Sequence, residues 1–379
     1  MSRTKIFYFT TDSKIGGTER MILALLEGLD RNKYEPFLCA IKPGGALLPE
    51  AEKLGVKAVT LNAGSRTDLP ALCGIIPMLR KEKPGILHTF LFHANIAGRI
   101  AGRMCGVPVI ISSQRSVDKW RKPWHSALDK WTSGLCNLII SNSEAGRKAL
   151  IEREKIDPAR VITIHNGINA EKFAAAACGA DAGAARKAFG FAPGDTVLGI
   201  IANLRAVKGH KFLLKAFQNV RRTTPDVRLK LLVVGEGKLE GELKDLADKL
   251  GVSNDTVFAG FRDEIPRVLA AIDIFVLPSL WEGFPVSVIE AMASGKPVIA
   301  SRAGGIPEAV VEGETGLLVP PGDVPALEKA IEALAGSPEL AKKMGEAGRK
   351  KAGSEFGIEK MISKTEGVYE RLTGNRDKH

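Results

Sequence analysis

The sequence predicts an α/β protein built from two doubly wound domains, each a parallel sheet with crossover helices on both faces. Three observations carry this expectation. At 379 residues the chain exceeds one ordinary domain and falls short of three, so two domains sharing a cleft are expected. Short runs rich in Val, Ile and Leu recur with helical stretches between them, the pattern of strands buried on both faces. The series is interrupted once, by FAAAACGADAGAARKAFG at 173–190, which is rich in Ala and Gly, lacks a strand pattern and reads as a linker.

In the first half, strands are expected near 4–10, 35–41, 57–62, 85–90, 107–112, 137–142 and 161–165. In the second they are expected near 196–203, 229–235, 256–260, 274–278, 297–301 and 316–319. This places an N-terminal domain at 1–172 and a second at 191–355. The segment 355–371 reads as an amphipathic helix with Phe356, Met361 and Tyr369 as anchors. In open α/β sheets ligands bind beyond the carboxyl ends of strands, so the loops there are where chemistry is expected.

Composition narrows the class. Apolar residues make up 45% of the chain and charged residues 26%, as in a globular protein. The sequence opens directly into a strand and contains no apolar run of membrane-spanning length, so a cytoplasmic protein is expected. Five scattered cysteines without a CxxC pair argue against a disulfide framework or a zinc site. Of the net charge of +11, residues 1–168 hold +10, from 25 Lys and Arg against 15 Asp and Glu. That asymmetry favours an anionic partner for the first half: a phospholipid surface, a lipid-phosphate acceptor or nucleic acid.

Several motifs fall on the expected loops. IGGTER follows the first strand, with Gly16 and Gly17 before a helix whose Thr18 is a candidate cap; it reads as an anion site or as a packing turn. GEGKLEG at 235–241 has the wrong final spacing for a dinucleotide fingerprint, which weakens a dehydrogenase reading. NLRAVKGHK places Arg205 and Lys208 beyond a strand end, where fixed cations stabilise a departing diphosphate; solvated surface charges are the alternative. In LPSLWEGFPVSVIEAMASGKPVIAS at 277–301, Glu282 lies before a helix entered at Pro285, and Glu290 lies inside it. Separate hydrogen-bonding roles suit these two better than an acid and base pair on one bond. The N–H groups of Gly283, Phe284 and Val286 are placed to hold sugar or phosphate oxygens; Pro285 has none to give.

With IGGTE at 15–19, IHNGIN at 164–169, LRAVKG at 204–209, VVGEG at 233–237, AGF at 259–261, EGFPVSVIE at 282–290 and GGIPE at 304–308, the chain resembles glycosyltransferase family 4. These are retaining enzymes of the GT-B architecture, two facing Rossmann-like domains with an interdomain cleft. The resemblance implies that Arg205 and Lys208 bind the donor diphosphate, near Gly16 and Gly17. It gives Glu282 and the neighbouring N–H groups to the donor sugar, Glu290 to the ribose, and Phe261 and Arg262 to the base. It implies front-face attack without a cofactor or divalent metal, and a C-terminal helix, about 356–373, that returns to the N-terminal domain. No Asp-x-Asp pair occurs in the sequence, in keeping with that expectation.

Two positions depart from the family pattern. Ala202 and Asn203 stand where many members carry Gly-Arg before the phosphate-loop Leu, so Arg205 is expected to supply that charge. HTFLFHAN replaces the common His-x-His, which leaves His93 rather than His88 as the acceptor-side histidine. Beyond the motifs, residues 113–131 gather Trp120, Trp124 and Trp131 among Arg115, Lys119, Arg121, Lys122 and Lys130. This reads as a headgroup interface on an anionic membrane at the inner face of the plasma membrane, or as an acceptor-site or packing helix with a solvated basic face. The expected activity is transfer of a hexose or N-acetylhexosamine from a UDP-sugar to a glycan or lipid-linked acceptor in polysaccharide or lipopolysaccharide assembly. Another nucleotide-sugar enzyme, an epimerase or sugar-phosphate synthase, and a non-catalytic nucleotide-sugar or nucleic-acid binding protein are the alternatives; the retained Glu282, Glu290 and Lys208 argue against the latter, and no nucleic-acid partner is expected.

Overall fold

A computed structural model describes residues 3–65, 67–115, 122–177 and 181–374. The described chain forms two compact units, one within Met1–Gly167 and Ile358–His379, the other within Ile168–Gly357. Among the described residues, no helix is long and apolar enough to cross a membrane.

The first unit holds β1 (Thr4–Thr10), β2 (Tyr34–Ala40), β3 (Lys57–Thr60), β4 (Ile86–Phe90), β5 (Val109–Gln114), β6 (Leu138–Ser141) and β7 (Val161–Thr163). They form one parallel sheet in the order β3-β2-β1-β4-β5-β6-β7. All five residues of β4 are buried, including His88 and Thr89, because helices cover both faces. The helix Phe92–Met104 lies close to this strand because its sequence supplies Gly98 and Gly102 one turn apart. A Cβ at Gly98 would stand 2.4 Å from Thr89 Cγ2, and one at Gly102 would stand 2.7 Å from Leu87 Cδ2. Between them Arg99 is buried in an ion pair with Asp129 of the helix Pro123–Ser133, and its Nε donates to Ser112 Oγ at 2.8 Å.

The helix Ile358–Gly374 belongs to this unit. Met361 and Tyr369 are buried on it. The Tyr369 hydroxyl lies 2.7 Å from His88 Nδ1 and 3.2 Å from the Tyr8 hydroxyl, while His88 Nε2 lies 2.9 Å from Ser113 Oγ. Burial pushes the His88 imidazole down to about 3, so it is neutral and held at both nitrogens. Phe356, expected as a third anchor of this helix, instead caps the preceding helix Pro338–Glu355 and packs edge-on against Phe284 of the second unit, ring centroids 5.2 Å apart.

The second unit holds β8 (Thr196–Ile201), β9 (Leu229–Val234), β10 (Thr256–Gly260), β11 (Ile274–Leu277), β12 (Val298–Ser301) and β13 (Gly316–Val319). Their order is β10-β9-β8-β11-β12-β13, again all parallel. The segment expected as a linker is a correction. Its described residues, apart from the turn at Phe189 and Gly190, fall in the helices Ala170–Ala177 and Asp181–Ala188, packed on the helix Ile265–Ala270 of this unit. Alanine is the strongest helix former, and Phe173 and Ala185 are buried, so an Ala-rich run without strand periodicity becomes packed helix.

Two outcomes follow for the buried Tyr369–His88 pair. Tyr369→Phe leaves His88 Nδ1 and the Tyr8 hydroxyl without that partner, and should cost about 1–3 kcal/mol in urea unfolding of the full chain; a change near zero would show the contact to be dispensable. The imidazole resonances of His88 should keep their neutral positions from pH 8 to pH 4. Because the folded value lies below the ordinary 6.5, the unfolded chain gains a proton that the folded chain does not, and stability present above 6.5 is lost as pH falls towards 3.

Candidate functional site

In each sheet the strand order reverses at one place, β1 beside β4 and β8 beside β11, and ligands of doubly wound folds bind at such places. In the second unit the loops leaving β8 and β11 meet there. Lys208, on the 3₁₀ turn Ala206–Lys208 beyond β8, places Nζ 2.6 Å from Glu282 Oε1 beyond β11. The Lys208 side chain is 21% exposed and that of Glu282 9%. Ser279 Oγ donates to the same carboxylate oxygen at 2.7 Å. A desolvated Lys needs a carboxylate partner, and the pair fixes both groups at the strand ends. The sequence expectation of a diphosphate cation and a sugar-holding carboxylate therefore resolves into two groups that touch.

Glycines make this approach possible. Leu280 N–H donates to Val207 O at 2.7 Å, and Gly209, at φ +75°, would put a Cβ 2.0 Å from Pro278 O. Gly304, at φ +56°, would put one 1.9 Å from Glu282 O, and its neighbour Gly305 donates to Gly283 O at 2.7 Å. Side chains rarely adopt this left-handed backbone, so both positions demand glycine twice over. Gly235, after β9, lies against Ala202 O and donates to Gly260 O at 2.9 Å, joining the loop after β8 to the loop that carries Phe261 and Arg262. Phe261 is 44% exposed, a flat apolar surface available for stacking, and the Arg262 side chain donates to Phe261 O at 2.9 Å.

Arg205 is exposed and has no side-chain hydrogen bond or ion pair among the described residues. The helix Val286–Ala293 starts one residue later than expected, with Pro285 as its N-cap. Phe284 and Val286 bury their side chains, so only backbone groups of Gly283, Phe284 and Val286 remain for a ligand. Glu290 is buried on the second turn of this helix, while Glu282 is engaged by Lys208 and Ser279. His210 was missed in the sequence. It opens the helix His210–Thr223, its imidazole is buried without a hydrogen-bond partner among the described residues, and burial and then Lys208 push it down to about 4. Its place two residues after Lys208 is the one signal that could have found it.

In the first unit, Gly16 caps the helix Gly17–Gly28, but Thr18 is not the capping side chain. Gly16 N–H donates to Glu19 Oε2 at 3.0 Å, the N3 half of a capping box. Burial raises Glu19 to about 7, despite the lowering by hydrogen bonds from the Glu19 and Gly16 backbone. Beyond β4, Leu91 sits at φ 70°, ψ 156°, a strained conformation for leucine, and directs the chain into the helix on whose first turn His93 lies, half-buried with its ring edge-on to Phe92. Lys122 and Trp124 are exposed, Trp124 at 57% and stacked on His125 at 3.5 Å, and Trp131 is 68% exposed. Trp120 and Arg121 lie outside the described residues.

Comparison with known proteins agrees with this architecture. The Glycosyltransferase Family 4 profile matches residues 15–172, and the profile for glycosyl transferases group 1 matches residues 181–351. An Escherichia coli UDP-Gal:alpha-D-GlcNAc-diphosphoundecaprenol alpha-1,3-galactosyltransferase is 26% identical over 99% of both chains. A D-inositol 3-phosphate glycosyltransferase of Streptomyces bingchenggensis is 28% identical over 95% of this chain and 86% of its own. The crystal structure of Anabaena HepE in complex with UDP-glucose shares the fold with a TM-score of 0.86 at 22% identity, over 97% of this chain and 100% of that one. The chain belongs to the GT-B-fold glycosyltransferases, with a family 4 domain followed by a group 1 domain.

Proposed function

We propose that this chain is a retaining, metal-independent glycosyltransferase that moves a hexose or N-acetylhexosamine from a UDP-sugar to a glycan or lipid-linked acceptor in polysaccharide or lipopolysaccharide assembly. The observation that carries the reading is the Lys208–Glu282 contact at the β8/β11 switch point. A relative named for a UDP-galactose donor and a structure named for bound UDP-glucose support the choice of donor.

Lys208 and Arg205 hold the diphosphate, with the Gly16–Gly17 backbone as a further phosphate contact. Glu282 and the backbone at Gly283, Phe284 and Val286 hold the sugar, Glu290 the ribose, and Phe261 with Arg262 the base. His93 serves the acceptor side. The acceptor oxygen bonds to the anomeric carbon on the face from which the diphosphate leaves. The bonding pair of the broken C–O bond passes to the diphosphate, which also takes the acceptor's proton. Charge grows on the diphosphate as the bond breaks, so cations fixed at the strand ends stabilise the transition state more than the ground state. The exposed Trp124 and Trp131, beside Lys122 and Lys130, suit peripheral docking on an anionic membrane from the cytoplasmic side.

Lys208→Ala should lower kcat/KM for a UDP-sugar about 100-fold or more, near 3 kcal/mol of transition-state stabilisation, and full activity of an Arg205→Ala/Lys208→Ala variant would refute the diphosphate assignment. Turnover should survive EDTA; activity abolished by EDTA and restored by magnesium or manganese would show that a metal does this work. Trp124→Ala/Trp131→Ala should reduce co-sedimentation with phosphatidylglycerol vesicles, and equal binding by variant and parent would remove the membrane reading.

A further inference from the structure

Arg115, one of the basic residues of the 113–131 stretch, takes no part in the donor-site roles proposed above. Arg115 directly follows β5 and so stands at the carboxyl edge of the sheet, the ligand side of a doubly wound fold. Its backbone is pinned: Asn142, just past β6, donates from Nδ2 to Arg115 O at 3.0 Å and from its backbone N–H to Gln114 O at 3.2 Å. Its Nη2 donates to Oδ1 of Asn166, past β7, at 2.5 Å. Its Nε is buried and has no hydrogen-bond partner among the described residues.

A guanidinium carries five donors in a planar fork, and a neutral amide satisfies one donor without offsetting the charge. Among the described residues no carboxylate reaches Arg115 within ion-pair distance. Glu19 acts on it through space only, and that carboxylate already accepts from Gly16 N–H. Burial lifts Glu19 to about 7, with Asp12 adding to the rise, so near neutral pH it carries a full negative charge only part of the time. Burial lowers Arg115 to about 10, which leaves it cationic at neutral pH. The result is a pre-positioned, under-compensated cation at the carboxyl edge of the first sheet, with Asn142 and Asn166 holding it in place.

We propose that Arg115 recognises the phosphate or diphosphate of a phosphorylated acceptor, so that the first unit selects acceptors by that group. The guanidinium fork suits two phosphate oxygens at once. This inference rests on the transferase reading, in which Arg205 and Lys208 already serve the donor diphosphate and leave Arg115 to a second anion. It also gives part of the +10 excess of residues 1–168 a specific ligand.

The test is calorimetric titration of the full chain, first saturated with UDP, with inorganic pyrophosphate, geranyl diphosphate and geraniol. Both diphosphates should bind at one further site and geraniol should not. Much tighter binding of geranyl diphosphate points to a lipid carrier, and equal binding of the two to recognition of the diphosphate alone. Arg115→Gln should weaken the second site at least tenfold and change UDP affinity less than twofold. Arg115→Lys, which keeps the charge and loses the fork, should fall between the two, and it serves as the test should the Gln variant fail to fold. Absence of diphosphate binding to the UDP-saturated protein, or parental affinity in both variants, overturns the proposal. Failure to bind UDP at all would instead sink the transferase reading on which it rests.

Discussion

The candidate donor site depends on one contact, the ion pair between Lys208 and Glu282. Neither group would be stable alone at this degree of burial, since removing a charge from water costs several kcal/mol. Together they fix a cation and a carboxylate side by side at the end of the β8/β11 seam. Parallel strand order makes the contact possible: reversal of the order at β8 and β11 brings loops 74 positions apart in sequence to adjacent strand ends.

That contact needs backbones that approach one another closely, and the glycines show how closely. Gly209, Gly235, Gly237 and Gly304 each lie where a Cβ would overlap a neighbouring carbonyl oxygen of another strand-end loop. The loops after β8, β9, β11 and β12 are thus held as one layer, each supporting the next. Preorganisation of this kind lets fixed charges act on a leaving group without first having to rearrange.

The first unit spends its buried polar groups differently. Arg99 with Asp129, and His88 with Tyr369, Tyr8 and Ser113, form networks of paired polar groups inside the core. They anchor the helices Phe92–Met104 and Ile358–Gly374 to the sheet. Arg115 differs from both networks in holding a donor that no described residue satisfies, and it differs at the edge where ligands arrive. Paired networks add rigidity, whereas an unsatisfied donor is suited to recognition.

Periodicity determined the two-sheet α/β architecture: the thirteen strands among the described residues lie where runs of Val, Ile and Leu alternate with helical stretches, because a strand buried on both faces must be apolar along its length. Residue chemistry likewise marked Arg205, Lys208, Glu282, Gly16 and Gly17 as candidates on the loops beyond those strands. Local sequence misjudged 173–190, where Ala and Gly suggested a break and packing against Ile265–Ala270 selected helix, and it offered Thr18 as a cap where the Glu19 carboxylate accepts from Gly16 N–H. Only the tertiary structure could decide that Lys208 meets Glu282, that Tyr369 closes on His88, that His210 is buried, and that Arg115 keeps an unsatisfied donor. Strand propensity is set by neighbours along the chain, but desolvation and pairing of a charge are set by groups the fold brings from far away, and no local pattern encodes them.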